Sequence, residues 1–247
     1  LRRRGKIHIG TSGWHYDHWK GPFYPEDMKA EDFLRFYAER FHTVEINNSF
    51  YRLPEEKTFS GWNKSVPEGF IFSVKASRYI THMKKLKDPK EPVARFMKNA
   101  NALGDKLGPV LFQLPPKWSA NAERLRSFLE ILPDDQRYAF EFRDTTWFTH
   151  SVYELLAEFG AAFCIYELEG LISPKEVTAG FVYVRLHGPG GKYQGQYDAR
   201  TLSGWAGAFF AWASKGKDIY CYFDNDQAGY AAQDALKLQE MTAGGDR

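Results

Sequence analysis

Cysteine is scarce in this 247-residue sequence: only Cys164 and Cys221 occur. They fall in separate strand-like runs, and their parities place them on opposite faces. No disulfide is expected, which suits a reducing compartment. No apolar stretch approaches the ~20 residues that a membrane span requires. Arg2, Arg3 and Arg4 are not followed by an apolar segment, so they do not read as a signal peptide. These absences point to a cytoplasmic protein with no membrane partner. An excess of either sign of charge is also lacking. The net value is +2, and without the three N-terminal arginines the body is close to neutral. That argues against a strongly basic nucleic-acid-binding domain. No Gly-rich dinucleotide fingerprint, His-x-x-x-His or Cys-x-x-Cys occurs, so no organic cofactor motif is present. His8, His82, His187, Glu45, Glu141 and Asp224 include suitable metal ligands, but no spacing organises them, and a divalent metal is not the expectation. No Ser/Gly/Pro-rich linker divides the chain. A single domain over 1–247 is expected, with a basic tail at 1–5 and a C-terminal tail at 242–247.

What the sequence does have is periodicity. Strand-like runs cover Ile7–Gly10, Val44–Asn47, Ile71–Ala76, Val110–Leu114, Tyr138–Arg143, Ala162–Tyr166, Phe181–His187 and Ile219–Asp224. Between and after them lie helix-period segments: Ala30–Phe41, Phe59–Val66, Val93–Leu103, Ala122–Leu132, Val152–Phe159, Leu202–Lys215 and Ala228–Met241. The stripe Val93, Phe96, Ala100 and Leu103 is typical of them. Only Glu167–Gly180 separates the sixth and seventh strands, so the sixth helix is short or missing. Strict alternation implies a parallel sheet with outer helices. Eight units and this length favour an α/β fold of the TIM type, a closed barrel of eight parallel strands. An open doubly wound sheet is the alternative. Its fingerprint is absent, because Gly10-Thr11-Ser12-Gly13-Trp14 has the wrong spacing.

Within each strand run, polar residues share one parity. In a barrel that parity points inward, and the C-terminal strand ends carry the site. The inward set is His8 and Ser12, Glu45 and Asn47, Ser73 and Lys75, Leu111 and Gln113, Glu141 and Arg143, Cys164 and Tyr166, Arg185 and His187, and Tyr222 and Asp224. Three acids (Glu45, Glu141, Asp224) face three bases (Lys75, Arg143, Arg185). Barrels fill their interiors more simply with Val, Ile and Leu, so so polar a lining points to function. An inert ion network is the competing reading. Glu45, Lys75, Glu141 and His187 are the expected acid, base or nucleophile groups. Trp14, Asn47, Tyr51, His82, Gln113, Arg143, Arg185, Asp224, Asn225 and Asp226 are expected to contact substrate. The loop His187-Gly188-Pro189-Gly190-Gly191-Lys192 offers backbone N–H groups and a cation, so Gly188, Gly190, Gly191 and Lys192 are the expected phosphate-binding residues. Lys84, Lys85, Lys87 and Lys90 form a second basic stretch. Aromatics reach 17%. Trp14, Trp19 and Tyr51 fall in loop segments where exposed rings stack sugars or bases.

Several of these segments together resemble a known family. Ile9-Gly10-Thr11-Ser12-Gly13-Trp14 with Phe23-Tyr24-Pro25 resembles the N-terminal signature of the YecE-like family, also called domain of unknown function 72. So do Val44-Glu45-Ile46-Asn47 with Ser49-Phe50-Tyr51, and Ile80-Thr81-His82. The run Gly108-Pro109-Val110-Leu111-Phe112-Gln113-Leu114-Pro115-Pro116 is the most distinctive. Glu141-Phe142-Arg143 with Trp147-Phe148, Arg185-Leu186-His187-Gly188, and Tyr222-Phe223 before Asn225-Asp226 complete the set. The chain differs from the family pattern at Asp224, where asparagine is usual, and at Gln233-Asp234, where asparagine is common. The resemblance implies a TIM-type barrel and supplies no activity. The functional expectation is an enzyme, a hydrolase or isomerase using acid–base chemistry on a phosphorylated or otherwise anionic small molecule or nucleotide. The alternative is a protein that binds or processes single-stranded nucleic acid, with a metal-dependent hydrolase ranked below both.

Overall fold

The computed structural model describes residues 3–243. Residues 1–2 of the expected basic tail and 244–247 of the expected C-terminal tail lie outside the described residues. Eight strands carry the fold: β1 (Ile7–Thr11), β2 (Thr43–Ile46), β3 (Ile71–Lys75), β4 (Leu107–Gln113), β5 (Tyr138–Glu141), β6 (Ala162–Leu168), β8 (Phe181–Leu186) and β9 (Asp218–Phe223). A ninth, β7 (Leu171–Ile172), is a two-residue addition. The strand order is β1-β9-β8-β6-β5-β4-β3-β2, and a parallel bridge from Ser12 to Glu45 links the two ends of that path. The result is a nearly closed barrel of eight parallel strands, the TIM-type fold read from the sequence. β8 and β9 are buried along their whole length, as parallel strands covered on both faces must be.

The helices are α1 (Phe33–Ala38), α2 (Asn48–Tyr51), α3 (Glu56–Ser65), α4 (Lys90–Ala100), α5 (Ala122–Leu129), α6 (His150–Glu158), α7 (Ala199–Ala213) and α8 (Tyr230–Ala243). Two begin on side-chain caps. Asn121 accepts the Arg124 N–H at 2.8 Å, and Asp198 accepts the Thr201 N–H at 2.7 Å. No helix of the described residues is long and apolar enough to cross a membrane. Thr242 and Ala243, expected in a tail, belong to α8. The sixth helix is missing. β6 instead turns back at Glu169 and Gly170, both with positive φ (52° and 77°), and pairs antiparallel with β7.

The chain groups into two compact units: Leu1–Glu45 with Ile165–Lys175 and Gly180–Arg247, and Ile46–Cys164 with Glu176–Ala179. In the first unit, β9 is flanked by β1 and β8, in a register that pairs Gly10 with Tyr222 and Arg185 with Tyr222. Gly10 is required by close approach, since a Cβ there would lie 2.2 Å from the Thr43 carbonyl oxygen. Tyr24 stacks on Phe33 at 4.1 Å, and Trp19, Tyr37 and Phe41 are fully buried around the same cluster. In the second unit, Phe112 stacks on Phe140 and Phe142 on Trp147, at 5.3 and 4.8 Å. Much of the high aromatic content is therefore core. Both cysteines are buried, and among the described residues no disulfide joins them.

Candidate functional site

The polar residues of the first unit meet around Arg185. Strand alternation on β8 puts Tyr183 and Arg185 on one face, and His187 follows the strand end. Glu45 is fully buried, and both its oxygens are occupied. Arg185 Nε donates to each at 3.1 Å, and Nη2 donates to Oε1 at 2.8 Å. Ser12 Oγ donates to Oε1, and Tyr183 Oη donates to Oε2 at 2.6 Å. Arg185 Nη2 also donates to Ser12 Oγ and to Asp224 Oδ2, both at 3.1 Å. His187 lies between the two groups. Its Nε2 is 3.3 Å from Arg185 Nη1, and its Nδ1 is 2.9 Å from Asp224 Oδ2. A guanidinium only donates, so Nε2 accepts and Nδ1–H donates to Asp224, which fixes one tautomer of the imidazole. Glu45, expected as an acid or base, thus holds Arg185 in place. His187 and Arg185 are equally buried, while Asp224 keeps 13% of its side chain exposed.

Asp226 forms the outer edge of this cluster, with 28% of its side chain exposed and His18 Nε2 at 3.6 Å from Oδ2. Its backbone oxygen accepts from Trp19 Nε1 at 3.2 Å and lies 2.8 Å from His18 Nε2, so the residue is anchored. Burial, and then the charge of Asp224, push the Asp226 carboxyl above the usual range. Tyr16 donates to the Ser12 carbonyl at 2.6 Å. Burial first, and then Asp224, Asp226 and Glu45, keep its hydroxyl protonated.

Other expectations need correction here. Asn225 does not face outward: it is fully buried, and its Nδ2 donates to the Gly195 carbonyl (2.8 Å) and to Asp234 Oδ2 (2.9 Å). Asp234 also accepts the Tyr197 N–H, and the Gly188 N–H donates to Tyr197 Oη. Gly188 therefore has no N–H to offer a phosphate. Its φ of 111° and a clash of a Cβ with the Gln194 carbonyl at 2.2 Å explain the glycine. Gly190 and Lys192 are exposed, Gly191 is half-buried, and Lys192 lies 5.3 Å over Tyr193. Trp14 and Trp19 are buried rather than displayed for stacking.

The second unit carries a separate polar group at the ends of β3 and β5. Glu141 is fully buried and accepts from Arg143 Nε. Cys164 Sγ lies 3.8 Å from its other oxygen. Gln113 pairs in register with Glu141 and is half-buried. Lys75 Nζ sits 4.3 Å over the Phe50 ring, whose edge meets His82 at 5.0 Å. Asn47 leads into α2, and its buried Oδ1 has no hydrogen-bond partner among the described residues. Tyr51 is 72% exposed. His82 Nδ1 meets Thr81 Oγ1 at 2.9 Å. Burial first, and then Lys75, Arg78 and Arg143, lower the His82 pKa from 6.5 to about 4. Because the folded pKa lies below the unfolded one, the unfolded chain binds more protons between them. His82 stabilises the fold above pH 6.5, and that contribution fades as pH falls toward about 4. The ring is half-exposed, so solvent screening reduces the effect to about 1–2 kcal/mol. Urea midpoints at pH 5 and pH 7 will differ by less in His82→Asn than in the parent.

Among the described residues no three His, Cys, Asp or Glu side chains are grouped to hold a metal. Parity located Glu45, Arg185, His187 and Asp224. It also marked Ser12 as inward, and Tyr183 shares the parity of Arg185, yet neither was expected in the site. The roles of Tyr16, His18 and Asp234 had no signal in the sequence.

The model of the family described as "Protein of unknown function DUF72" matches residues 8–246. The UPF0759 protein YunF of Bacillus subtilis (strain 168) is 27% identical over 274 residues, covering 95% of this chain and 94% of the relative. The crystal structure of a DUF72 family protein from Thermotoga maritima MSB8 superposes with a TM-score of 0.88 at 28% identity, covering 96% of this chain and 99% of the other. A DUF72 family protein from Enterococcus faecalis V583 shares the fold, with a TM-score of 0.82 at 19% identity over 96% of this chain and 95% of the other. With nearly its whole length matched, this chain belongs to the DUF72 family.

Proposed function

We propose that this chain is an enzyme that works by general acid–base chemistry on a small anionic molecule, with Asp226 as the proton-carrying group. The observation that carries the reading is the Asp226 carboxyl itself. It lies just beyond the C-terminal end of β9, partly open to solvent, with its proton affinity raised by burial and by Asp224. Strand C-termini are where barrel enzymes place their chemistry. Asp224 accepts from Arg185 and His187, whereas Asp226 is set against Asp224 and is disposed to hold a proton. Glu45 and His187, expected to react directly, take positioning roles on Arg185 and Asp224.

Within the second unit, burial first and then Lys75, Arg78 and Arg143 keep His82 neutral, and that unit's set of cations suits a phosphate or carboxylate of its own. The burial of Trp14 and Trp19 weakens the reading as a single-stranded nucleic-acid platform. The test is turnover of a panel of sugar phosphates, phosphoesters and nucleotides by the parent and Asp226→Asn. Turnover present in the parent and lost in Asp226→Asn supports the assignment. Equal turnover in the parent and Asp226→Asn contradicts it.

A further inference from the structure

The second unit contains a cleft that the proton-transfer reading does not use. It encloses about 630 Å³ and is lined by Tyr51, Arg52, Ser77, Tyr79, Arg95 and Asn99, among others. That volume falls inside the roughly 300–1,000 Å³ of small-molecule sites. Tyr51 and Tyr79 are 72% and 43% exposed, whereas Tyr24, Tyr37 and Tyr138 are buried in the core. Two exposed phenol rings lining one concavity are an unusual use of apolar surface. Two guanidinium groups, Arg52 and Arg95, and two carboxylates, Glu55 and Glu91, line it as well. Neither Arg52 nor Arg95 forms a salt bridge among the described residues. Of the acids near α3, Glu55 pairs with Lys57 at 3.0 Å and Glu56 with Lys98 at 3.1 Å, and Lys57 first, then Arg52, hold the Glu55 carboxyl below its usual value.

The backbone beside the cleft is also irregular. Tyr79–Met83 forms a π-helical turn, a feature that recurs at functional sites. The segment after it holds three non-glycine residues at positive φ: Lys85 (47°), Leu86 (62°) and Asp88 (45°). Leu86 is buried, which pins this turn to the unit and fixes the wall that carries Tyr79.

We infer that this cleft binds a single nucleotide, with Tyr51 and Tyr79 taking the base and Arg52 and Arg95 taking the phosphate. Aromatic faces accept any base, and a guanidinium fork matches phosphate oxygens. Ser77 and Asn99 add polar groups at the wall. The cleft's volume matches one nucleotide rather than a strand. The inference is independent of the proton-transfer reading, because it uses neither Asp226 nor any residue in contact with it.

The test is calorimetric titration of the full chain with AMP, adenosine, ribose 5-phosphate and a single-stranded octanucleotide. AMP binds saturably with one site. Tyr51→Ala and Tyr79→Ala each weaken it about tenfold, the loss expected for a base stacked on one ring. Arg95→Met weakens AMP about tenfold and leaves the weaker binding of adenosine unchanged, since it removes a phosphate contact alone. Asp226→Asn leaves the AMP isotherm as in the parent, which separates this site from the proposed reaction. No saturation by AMP up to about 1 mM, the upper end of specific affinities, overturns the inference. So does ribose 5-phosphate binding as tightly as AMP, Tyr51→Ala binding AMP like the parent, or binding of the octanucleotide without binding of AMP.

Discussion

Arg185→Met lowers the stability of the fold by about 3–5 kcal/mol, the cost of leaving a buried charge without its counter-ion. Glu45 is fully buried, and three of the five hydrogen bonds to its carboxyl come from this one guanidinium. Methionine preserves most of the side-chain volume and removes every donor. Ser12 and Tyr183 remain, but neither brings a positive charge. Asp224 and His187 lose the same anchor. The effect appears as a lower urea midpoint with the slope of the transition retained. Adding Glu45→Gln to Arg185→Met recovers stability, because a neutral amide tolerates burial beside the hydroxyls of Ser12 and Tyr183. That non-additivity is the signature of a direct pair. A loss under about 1 kcal/mol in Arg185→Met would make the network a surface-type interaction despite its burial.

Asp226→Asn lowers kcat by about 10²–10⁴, the range of a positioned acid or base. The substitution conserves shape. The backbone contacts of Asp226 to His18 and Trp19 do not involve the carboxyl and persist, so the loss is one of turnover with folding intact. Asp224→Asn gives a different result. It removes a charge that raises the Asp226 carboxyl and leaves that carboxyl in place. Turnover is retained, and the limb of the pH–rate profile that reports Asp226 moves to lower pH. Equal losses in the two variants would mean that neither carboxyl is the proton carrier.

The barrel was legible because periodicity survives burial. Alternating runs such as Phe181–His187 read as strands, and the short Glu167–Gly180 segment exposed the missing helix. The β7 hairpin was not legible, since the residue before Gly170 in its turn is Glu169 rather than the Asn or Asp that marks such a pair at positive φ. α2 and the π-helical turn are too short for a period to show. Site residues followed the same logic. Parity identifies which side chains of β2, β8 and β9 share a face, and Glu45, Arg185, His187 and Asp224 emerged from it. Parity does not report depth, so Glu45 looked reactive although every oxygen is occupied. Loops have no period at all. Trp14 and Trp19 looked available in sequence and are buried, while Asn225 looked like a ligand contact and holds the 188–197 loop to α8 through Asp234.

As the proposed proton carrier, Asp226 has its proton affinity raised by burial and then by Asp224. Carbon-13 NMR titration of the aspartate carboxyls, with Asp226→Asn to assign the resonance, measures this without a substrate. The account predicts that Asp226 titrates above the ordinary aspartate value and shifts downward in Asp224→Asn. An Asp226 that titrates at the ordinary value, unmoved by Asp224→Asn, would contradict it.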